Sequence, residues 1–170
     1  MDKSDEVFIL DTNIIQYLLN KNSSIAFINF FTDLNKQGKK LSVSEYSIFE
    51  LTRGAKIKTE EELITTFNIF KRYSVTTEVL TAAARIETLY RMEGIQCDKI
   101  SDGDKIIAAT SVLTNATLFT ANGRDFPWPY FIETSRSPIV FSENNYSKSI
   151  LVSSFQPDNQ YILKRFTERT

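Results

Sequence analysis

Residues 101–126, SDGDKIIAATSVLTNATLFTANGRDF, predict one helix followed by one strand. The first half has the i, i+3, i+4, i+7 spacing of a helix packed on a core, with Ile106, Ala109, Thr110 and Leu113 on one side. Residues 117–120 are short, apolar and rich in β-formers, and a turn follows them. Asp104 opens this unit and Asp125 lies just past its strand. Ligands of open parallel α/β sheets bind outside the carboxyl ends of the strands, so Asp125 has a position typical of a functional site.

The preceding segments repeat the alternation of strand and helix. We predict strands at 6–10, 41–43 and 73–77, and helices starting at Asp11–Asn13 and at 24–36, 45–57, 59 onward and 78–92. Such alternation indicates a parallel sheet with helices on both faces, joined by right-handed crossovers. The sequence therefore predicts an α/β fold with a central, mostly parallel, twisted sheet.

The chain reads as a single domain over residues 1–170, with a motif core at 6–126 and a C-terminal extension at 127–170. The extension is punctuated by proline, and two short strands are predicted at 138–141 and 149–155 around a polar turn. We expect it to form an antiparallel edge or flap. No apolar run approaches the roughly 20 residues of a membrane span, and we expect a soluble, cytoplasmic protein.

The chain contains no histidine, which excludes Ser-His-Asp and Cys-His triads and every histidine metal site. Its 20 basic and 21 acidic residues nearly cancel, so any binding to nucleic acid requires a local basic patch. The chemistry that remains is that of carboxylates, which are ligands suited to Mg²⁺ or Mn²⁺.

Four acids are expected to meet at one edge of the sheet. Asp11 and Asp125 follow strands, Asp104 begins a helix, and Glu50 lies in a helix after a strand. Each has an ordinary explanation alone: Asp11 suits a helix N-cap, and Glu50 suits a solvent-facing helical position. Four converging carboxylates repel one another unless a cation neutralises them, so we expect one or two divalent ions acting on a phosphodiester.

Four sequence blocks resemble the PIN domain nucleases, in particular VapC-type toxins of toxin–antitoxin systems. They are FILDTN at 8–13, Ser44 with Glu50, Leu51 and Gly54, DKIIAAT at 104–110, and TANGRDF at 120–126. The resemblance implies a PIN-like three-layer sandwich and an endoribonuclease that uses Mg²⁺ or Mn²⁺. It implies metal ligation and catalysis by four residues, Asp11, Glu50, Asp104 and Asp125, with four supporting residues, Thr12, Asn13, Asn122 and Asp102.

The resemblance also implies partners, namely an RNA substrate, an antitoxin protein and a second toxin subunit in a homodimer. Basic residues that could contact RNA are Arg53, Lys105, Arg124, Lys164 and Arg165. The helix at 24–36 has apolar side chains over a wider arc than one core face requires. We expect part of that arc to be exposed and to bind a protein partner, unless the extension covers it.

Two features depart from the family pattern. The extension is longer than VapC-type toxins usually carry, and Asp102 is an additional acid that we interpret as a helix N-cap. Two alternative functions remain open: an RNA-processing nuclease without an antitoxin, and a catalytically silent PIN-like RNA-binding module. An aspartyl phosphatase would need Asp-x-Asp after the first strand, where this chain has Asp11-Thr12-Asn13.

Overall fold

The computed structural model describes residues 6–54 and 60–168. The strands of this part are β1 Val7–Leu10, β2 Lys40–Ser44, β3 Lys71–Tyr73, β4 Thr117–Thr120, β5 Phe131–Glu143 and β6 Tyr146–Pro157. The helices are α1 Thr12–Leu19, α2 Ser24–Lys36, α3 Glu45–Gly54, α4 Glu60–Phe67, α5 Thr77–Met92, α6 Asp102–Thr114 and α7 Asn159–Thr167. A 3₁₀ turn, Gly123–Asp125, follows β4, and another, Cys97–Lys99, precedes α6.

The strands form a six-stranded sheet in the order β3-β2-β1-β4-β6-β5. The first four strands are parallel to one another, β6 pairs antiparallel with β4, and β5 pairs antiparallel with β6. Because β1 and β4 are parallel neighbours, the residues that follow them leave the same edge of the sheet. The predicted α/β fold with a mostly parallel sheet is confirmed.

Two hydrophobic clusters cover the two faces of the sheet, as a three-layer sandwich requires. One cluster joins α5, α6 and α7 to the sheet, with Leu89, Ile107 and Ile162 among its buried members. The other joins α1, α2 and α4 to the opposite face, with Ile14, Phe27 and Phe67 among its buried members. Successive side chains of the central strand β1 point to opposite faces of the sheet. Ile9 belongs to the first cluster, and Phe8 and Leu10 belong to the second.

The extension forms a long hairpin and a helix. Strands β5 and β6 have 13 and 12 residues and pair along their length, with Asn144 and Asn145 at φ 50° and 65° in the two-residue turn. Asparagine tolerates this left-handed conformation, which two-residue hairpin turns need. The antiparallel edge is confirmed, but the strands are much longer than predicted and α7 was not predicted. The predicted strand was too short because polar side chains and Pro138 interrupt the apolar pattern of β5.

Three further details differ from the predictions. Strand β3 lies at Lys71–Tyr73 and not at 73–77, because Thr76 caps α5 by accepting a hydrogen bond from the Val79 amide. Asp102 is not an N-cap, since Ser101 caps α6 in a reciprocal capping box with Asp104. The predicted end of the third helix at 57 and the capping box from 59 lie outside the described residues.

Helix α2 is partly covered by the hairpin. Phe27 and Phe31 are buried in the cluster that contains Ile139 and Val152 of the hairpin. Ile25 and Ile28 remain 71% and 51% exposed. The expected exposed part of the arc is therefore present, and the extension covers only the remainder.

Candidate active site at the carboxyl edge of the sheet

Asp11 follows β1 directly and is only 2% exposed. Its position is that of the N-cap of α1, but its carboxylate makes no capping hydrogen bond. The carboxylate accepts hydrogen bonds from the Thr120 hydroxyl and from the Asn13 amide nitrogen, each at 2.6 Å. Asp11 therefore occupies the N-cap position, but its carboxylate is oriented by Thr120 and Asn13 and not by the usual side-chain capping bond.

Asn13 and Thr120 connect the ends of β1 and β4. The Asn13 amide also donates to the Thr120 hydroxyl at 3.1 Å and accepts a hydrogen bond from the backbone of Ala121 at 3.0 Å. The Thr120 hydroxyl, which donates to Asp11, also accepts a hydrogen bond from the backbone amide of Asn122 at 2.9 Å. These contacts fix the orientation of the Asp11 carboxylate and of the turn that leads to Asp125.

Glu50 reaches the same edge from α3. Its carboxylate accepts a hydrogen bond of 2.5 Å from the Thr12 hydroxyl, which also lies 2.9 Å from the Ser47 hydroxyl. The other side of the carboxylate lies against Gly103, where an added Cβ would be 2.5 Å from Oε1. Only glycine lets α6 approach Glu50 this closely.

Asp104 and Asp125 are each held by a neighbouring polar residue. In the first turn of α6, Asp104 accepts hydrogen bonds from the hydroxyl and the backbone amide of Ser101, at 2.6 and 3.2 Å. Asp125, in the 3₁₀ turn after β4, accepts a hydrogen bond of 2.5 Å from the Asn122 side chain. Every one of the four predicted acids thus has a polar side chain that orients it.

The electrostatics link the four acids. Burial raises the pKa of Asp11 to about 7, and the charges of Asp104 and Glu50 add to the increase against the opposing Thr120 hydrogen bond. Burial raises the pKa of Asp125 to about 6, and both the charge of Asp104 and a hydrogen bond with it contribute, while Asn122 opposes. Asp104 and Glu50 thus lie within electrostatic range of Asp11, and Asp104 also lies close enough to Asp125 to share a hydrogen bond with it.

The other predicted site residues differ in how their charged groups are paired within the protein. Asp102 and Lys105 pair with each other at 3.2 Å, and Lys105, which is buried, also pairs with Glu87 at 3.0 Å. On α7, Arg165 pairs with Glu93 and with Glu168, at 2.6 and 2.9 Å. The remaining candidates on helices are Lys164 and Arg53. The ammonium of Lys164 lies 3.8 Å from a carboxylate oxygen of Glu168, and the guanidinium of Arg53 lies over the Phe49 ring, 5.4 Å from its centre.

A PIN domain family model matches residues 8–129, which is most of the chain and includes all four acids. The chain belongs to the PIN domain family. This family assignment confirms the resemblance that the four sequence blocks indicated. The match ends before β5, so the hairpin and α7 lie outside it.

Solved structures with the same PIN fold are complexes of toxin–antitoxin systems. VapBC2 from Rickettsia felis, bound to a promoter DNA fragment, is 25% identical, with a TM-score of 0.57 over 71% of this chain and 90% of that one. A toxin–antitoxin complex from Klebsiella pneumoniae is 20% identical, with a TM-score of 0.55 over 71% and 91%. DNA-bound VapBC from Salmonella typhimurium is 20% identical, with a TM-score of 0.56 over 71% and 90%. No curated protein matched the sequence.

These similarities support a VapC-like nuclease for this PIN domain. PIN domain nucleases in general use divalent metal ions. Within residues 6–54 and 60–168, no helix combines the length and the apolar content that a membrane span needs.

The acids of this PIN domain suit a divalent cation by their chemistry. Carboxylate oxygens are the ligands that Mg²⁺ and Mn²⁺ prefer. Burial is the main cause of the raised pKa values of Asp11 and Asp125, and a cation would relieve the repulsion from neighbouring acids that adds to it. In the described part of the chain, no three acidic or cysteine side chains already stand at metal-binding spacing. The acids therefore fit a cation in type, and binding one would require their oxygens to approach each other more closely.

Sequence analysis missed four residues of this site. Thr120 and Ser101 hold Asp11 and Asp104, Ser47 supports Thr12, and Gly103 makes room for Glu50. Thr120 was visible as the first residue of the TANGRDF block, but Ser47 and Gly103 are of residue types too common for spacing to single them out. The roles of Thr120, Ser47 and Gly103 depend on contacts between elements far apart in the chain, whereas Ser101 lies three residues before Asp104, a spacing that the capping-box pattern could have identified.

Proposed function

We propose that this chain is a Mg²⁺- or Mn²⁺-dependent endoribonuclease that acts as the toxin of a type II toxin–antitoxin pair. One observation carries the proposal: the Asp11 carboxylate is buried beside two other acids and makes no helix-capping bond. Burying a carboxylate among like charges is unfavourable, and such groups are typical of functional sites. The family assignment makes phosphodiester cleavage the function that this cluster fits best.

In the proposed reaction, the residues that would hold the cation are Asp11, Glu50, Asp104 and Asp125. When bound, the ion supplies Lewis acidity for phosphodiester hydrolysis. The protein's contribution is orientation: Thr12 directs the Glu50 carboxylate, while Thr120 and Asn122 direct Asp11 and Asp125. Such supporting hydrogen bonds hold ligand oxygens in position.

The test is cleavage of a defined single-stranded RNA by the purified protein, with Mg²⁺ or Mn²⁺ and with excess EDTA. We expect cleavage only with the cation, and loss of cleavage in Asp104→Asn. A matched control is Asp33→Asn, which changes an exposed acid on α2 that pairs with Lys36. Undiminished cleavage in EDTA would refute the metal mechanism, and equal cleavage of single-stranded DNA would refute the specificity for RNA.

The proposed partners are an antitoxin and a second copy of the chain. Ile25 and Ile28 supply an exposed apolar surface on α2, and the solved structures named above are complexes. We expect the chain to co-purify with the product of a small gene directly upstream. A strictly monomeric chain at high micromolar concentration, with no co-purifying product, would leave a processing nuclease without an antitoxin as the better assignment.

A catalytically silent RNA-binding module is the second candidate. The observation that favours it is the lack, among the described residues, of three acids already at metal-binding spacing. This candidate predicts RNA binding without cleavage at any concentration of Mg²⁺ or Mn²⁺. The cleavage assay therefore separates the two.

A further inference from the structure

A groove of about 480 Å³ lies between the turn that carries Asp125 and the β5–β6 hairpin. Its apolar lining includes three buried rings, Phe126, Phe131 and Phe155. Two arginines and a tryptophan also line it, namely Arg124, Trp128 and Arg136. One wall belongs to the PIN family match and the other to the hairpin beyond it, so the extension creates this groove.

The groove is joined tightly to the active-site turn. Gly123 begins the 3₁₀ turn that ends at Asp125, and a Cβ added to it would lie 2.7 Å from Cζ of Phe155. The ring of Phe155, on β6, therefore packs directly against the backbone of this turn. A ligand in the groove would lie beside the segment that holds Asp125.

The polar and aromatic groups of the groove suit a nucleotide. Trp128 is 79% exposed, although a large aromatic side chain normally gains from burial. Arg124 is exposed and makes no hydrogen bond or ion pair with another described residue. Arg136 is held by Glu133 through two hydrogen bonds of 2.7 and 2.8 Å. With two arginines against one glutamate, the lining has a net positive charge.

We propose that this groove binds one unpaired nucleotide of a single-stranded RNA, with its base stacked on Trp128 and its phosphate contacted by Arg124. Sites for single strands combine positive charge with an exposed aromatic face on which bases stack. The inference rests on the proposed nuclease function, because it places the subsite next to the phosphodiester at the acid cluster. It gives the extension a role in substrate binding.

The chain has one tryptophan, so its intrinsic tryptophan fluorescence reports on Trp128 alone. We would titrate the Asp104→Asn variant, in which cleavage is prevented, with a ten-nucleotide oligouridine and follow this fluorescence. We expect saturable quenching as a base stacks on the indole. In the same background, Trp128→Ala should bind a fluorescein-labelled oligouridine about tenfold more weakly by anisotropy, and Trp128→Phe should recover part of the loss.

The matched control is Tyr146→Ala, which removes a 73% exposed aromatic ring next to the hairpin turn, outside the groove lining. It should bind oligouridine as tightly as its parent. Unchanged tryptophan fluorescence while anisotropy reports binding, equal affinity of the Trp128→Ala variant, or no binding at all would each overturn the inference. Failure of the nuclease proposal looks different: the wild-type protein would not cleave RNA, whatever the fluorescence shows.

Discussion

The Thr12 hydroxyl donates a hydrogen bond of 2.5 Å to the Glu50 carboxylate, joining residues that are 38 positions apart. Thr12 is the first residue of α1, and Glu50 lies in α3. Asp11 lies next to β1, and Asp104 and Asp125 lie in the segment formed by α6, β4 and the turn after it. Glu50 comes from a different element, α3, and its bond with Thr12 connects it to the residue that follows Asp11. The acid cluster therefore depends on how Thr12 orients Glu50.

We expect Thr12→Val to lower the rate of RNA cleavage about 10- to 100-fold, the usual effect of losing a hydrogen bond that orients a metal ligand. Valine keeps the shape of threonine but has no hydroxyl for Glu50. Thr12→Ser keeps the hydroxyl and should retain most of the activity. Cleavage rates at saturating Mg²⁺ test this, and equal rates for the two variants would contradict it.

Gly103→Ala should lower cleavage while the fold persists. The new Cβ would meet Glu50 Oε1 at 2.5 Å and Tyr46 Cε1 at 2.8 Å. The carboxylate is the end of a flexible side chain, so it should move away from its bond with Thr12 rather than unfold α6. Circular dichroism and cleavage should be measured together. Gly54→Ala is the control, because an added Cβ there meets no atom within 4 Å.

Asp104→Asn should abolish cleavage with little loss of stability, since removing one charge relieves the repulsion on Asp11 and Asp125. Asp102→Asn should leave cleavage nearly unchanged. Its exposed carboxylate pairs with Lys105, which keeps Glu87 as a second partner. The reverse ranking in a cleavage assay would show that Asp102 is the functional acid.

Stability without metal should fall as pH rises from about 4 to about 7. The pKa of Asp11 is raised to about 7 from 3.8, so in this range the folded state keeps a proton that the unfolded chain has lost. The free energy of unfolding should therefore decrease with pH by a few kcal/mol and level off above this range. Asp125, with a pKa of about 6, acts in the same direction.

Urea unfolding in EDTA at a series of pH values measures this dependence. In Asp11→Asn the residue cannot ionise, so most of the slope should disappear. The asparagine carbonyl can still accept the hydrogen bonds of Thr120 and Asn13. A wild-type stability that rises over this pH range would contradict the expectation.

The sequence singled out Asp11, Asp104 and Asp125 because their positions follow from where strands end and helices begin. Glu50, in the middle of α3, stood out only together with the other three acids and with the family blocks. Strong local patterns define β4 and the start of α6, and they predict that Asp104 begins a helix and that Asp125 follows a strand. Thr120 and Gly103 were missed as site residues because their roles consist of contacts with Asp11 and Glu50, which lie in other elements. Local patterns do not describe such contacts.

The lengths of the two hairpin strands were underestimated for a related reason. Most side chains of β5 are exposed, so the alternation of apolar and polar residues that marks a half-buried strand is weak. Only Phe131 and Ile139 of this strand are buried. The pairing between β5 and β6 instead depends on the backbone and on the turn at Asn144 and Asn145, which apolar periodicity does not report.

Strand β6 also changes which strand forms one of the two edges of the sheet, the other edge being β3. Without it, β4 would be the edge, and all four of its residues are buried. An apolar edge strand with unpaired backbone groups can pair with another chain and aggregate. The edge is instead β5, where Pro138 lacks an amide hydrogen and Glu133 and Arg136 place charges along the strand. The extension thereby covers β4 and replaces this edge with one less suited to pairing between molecules.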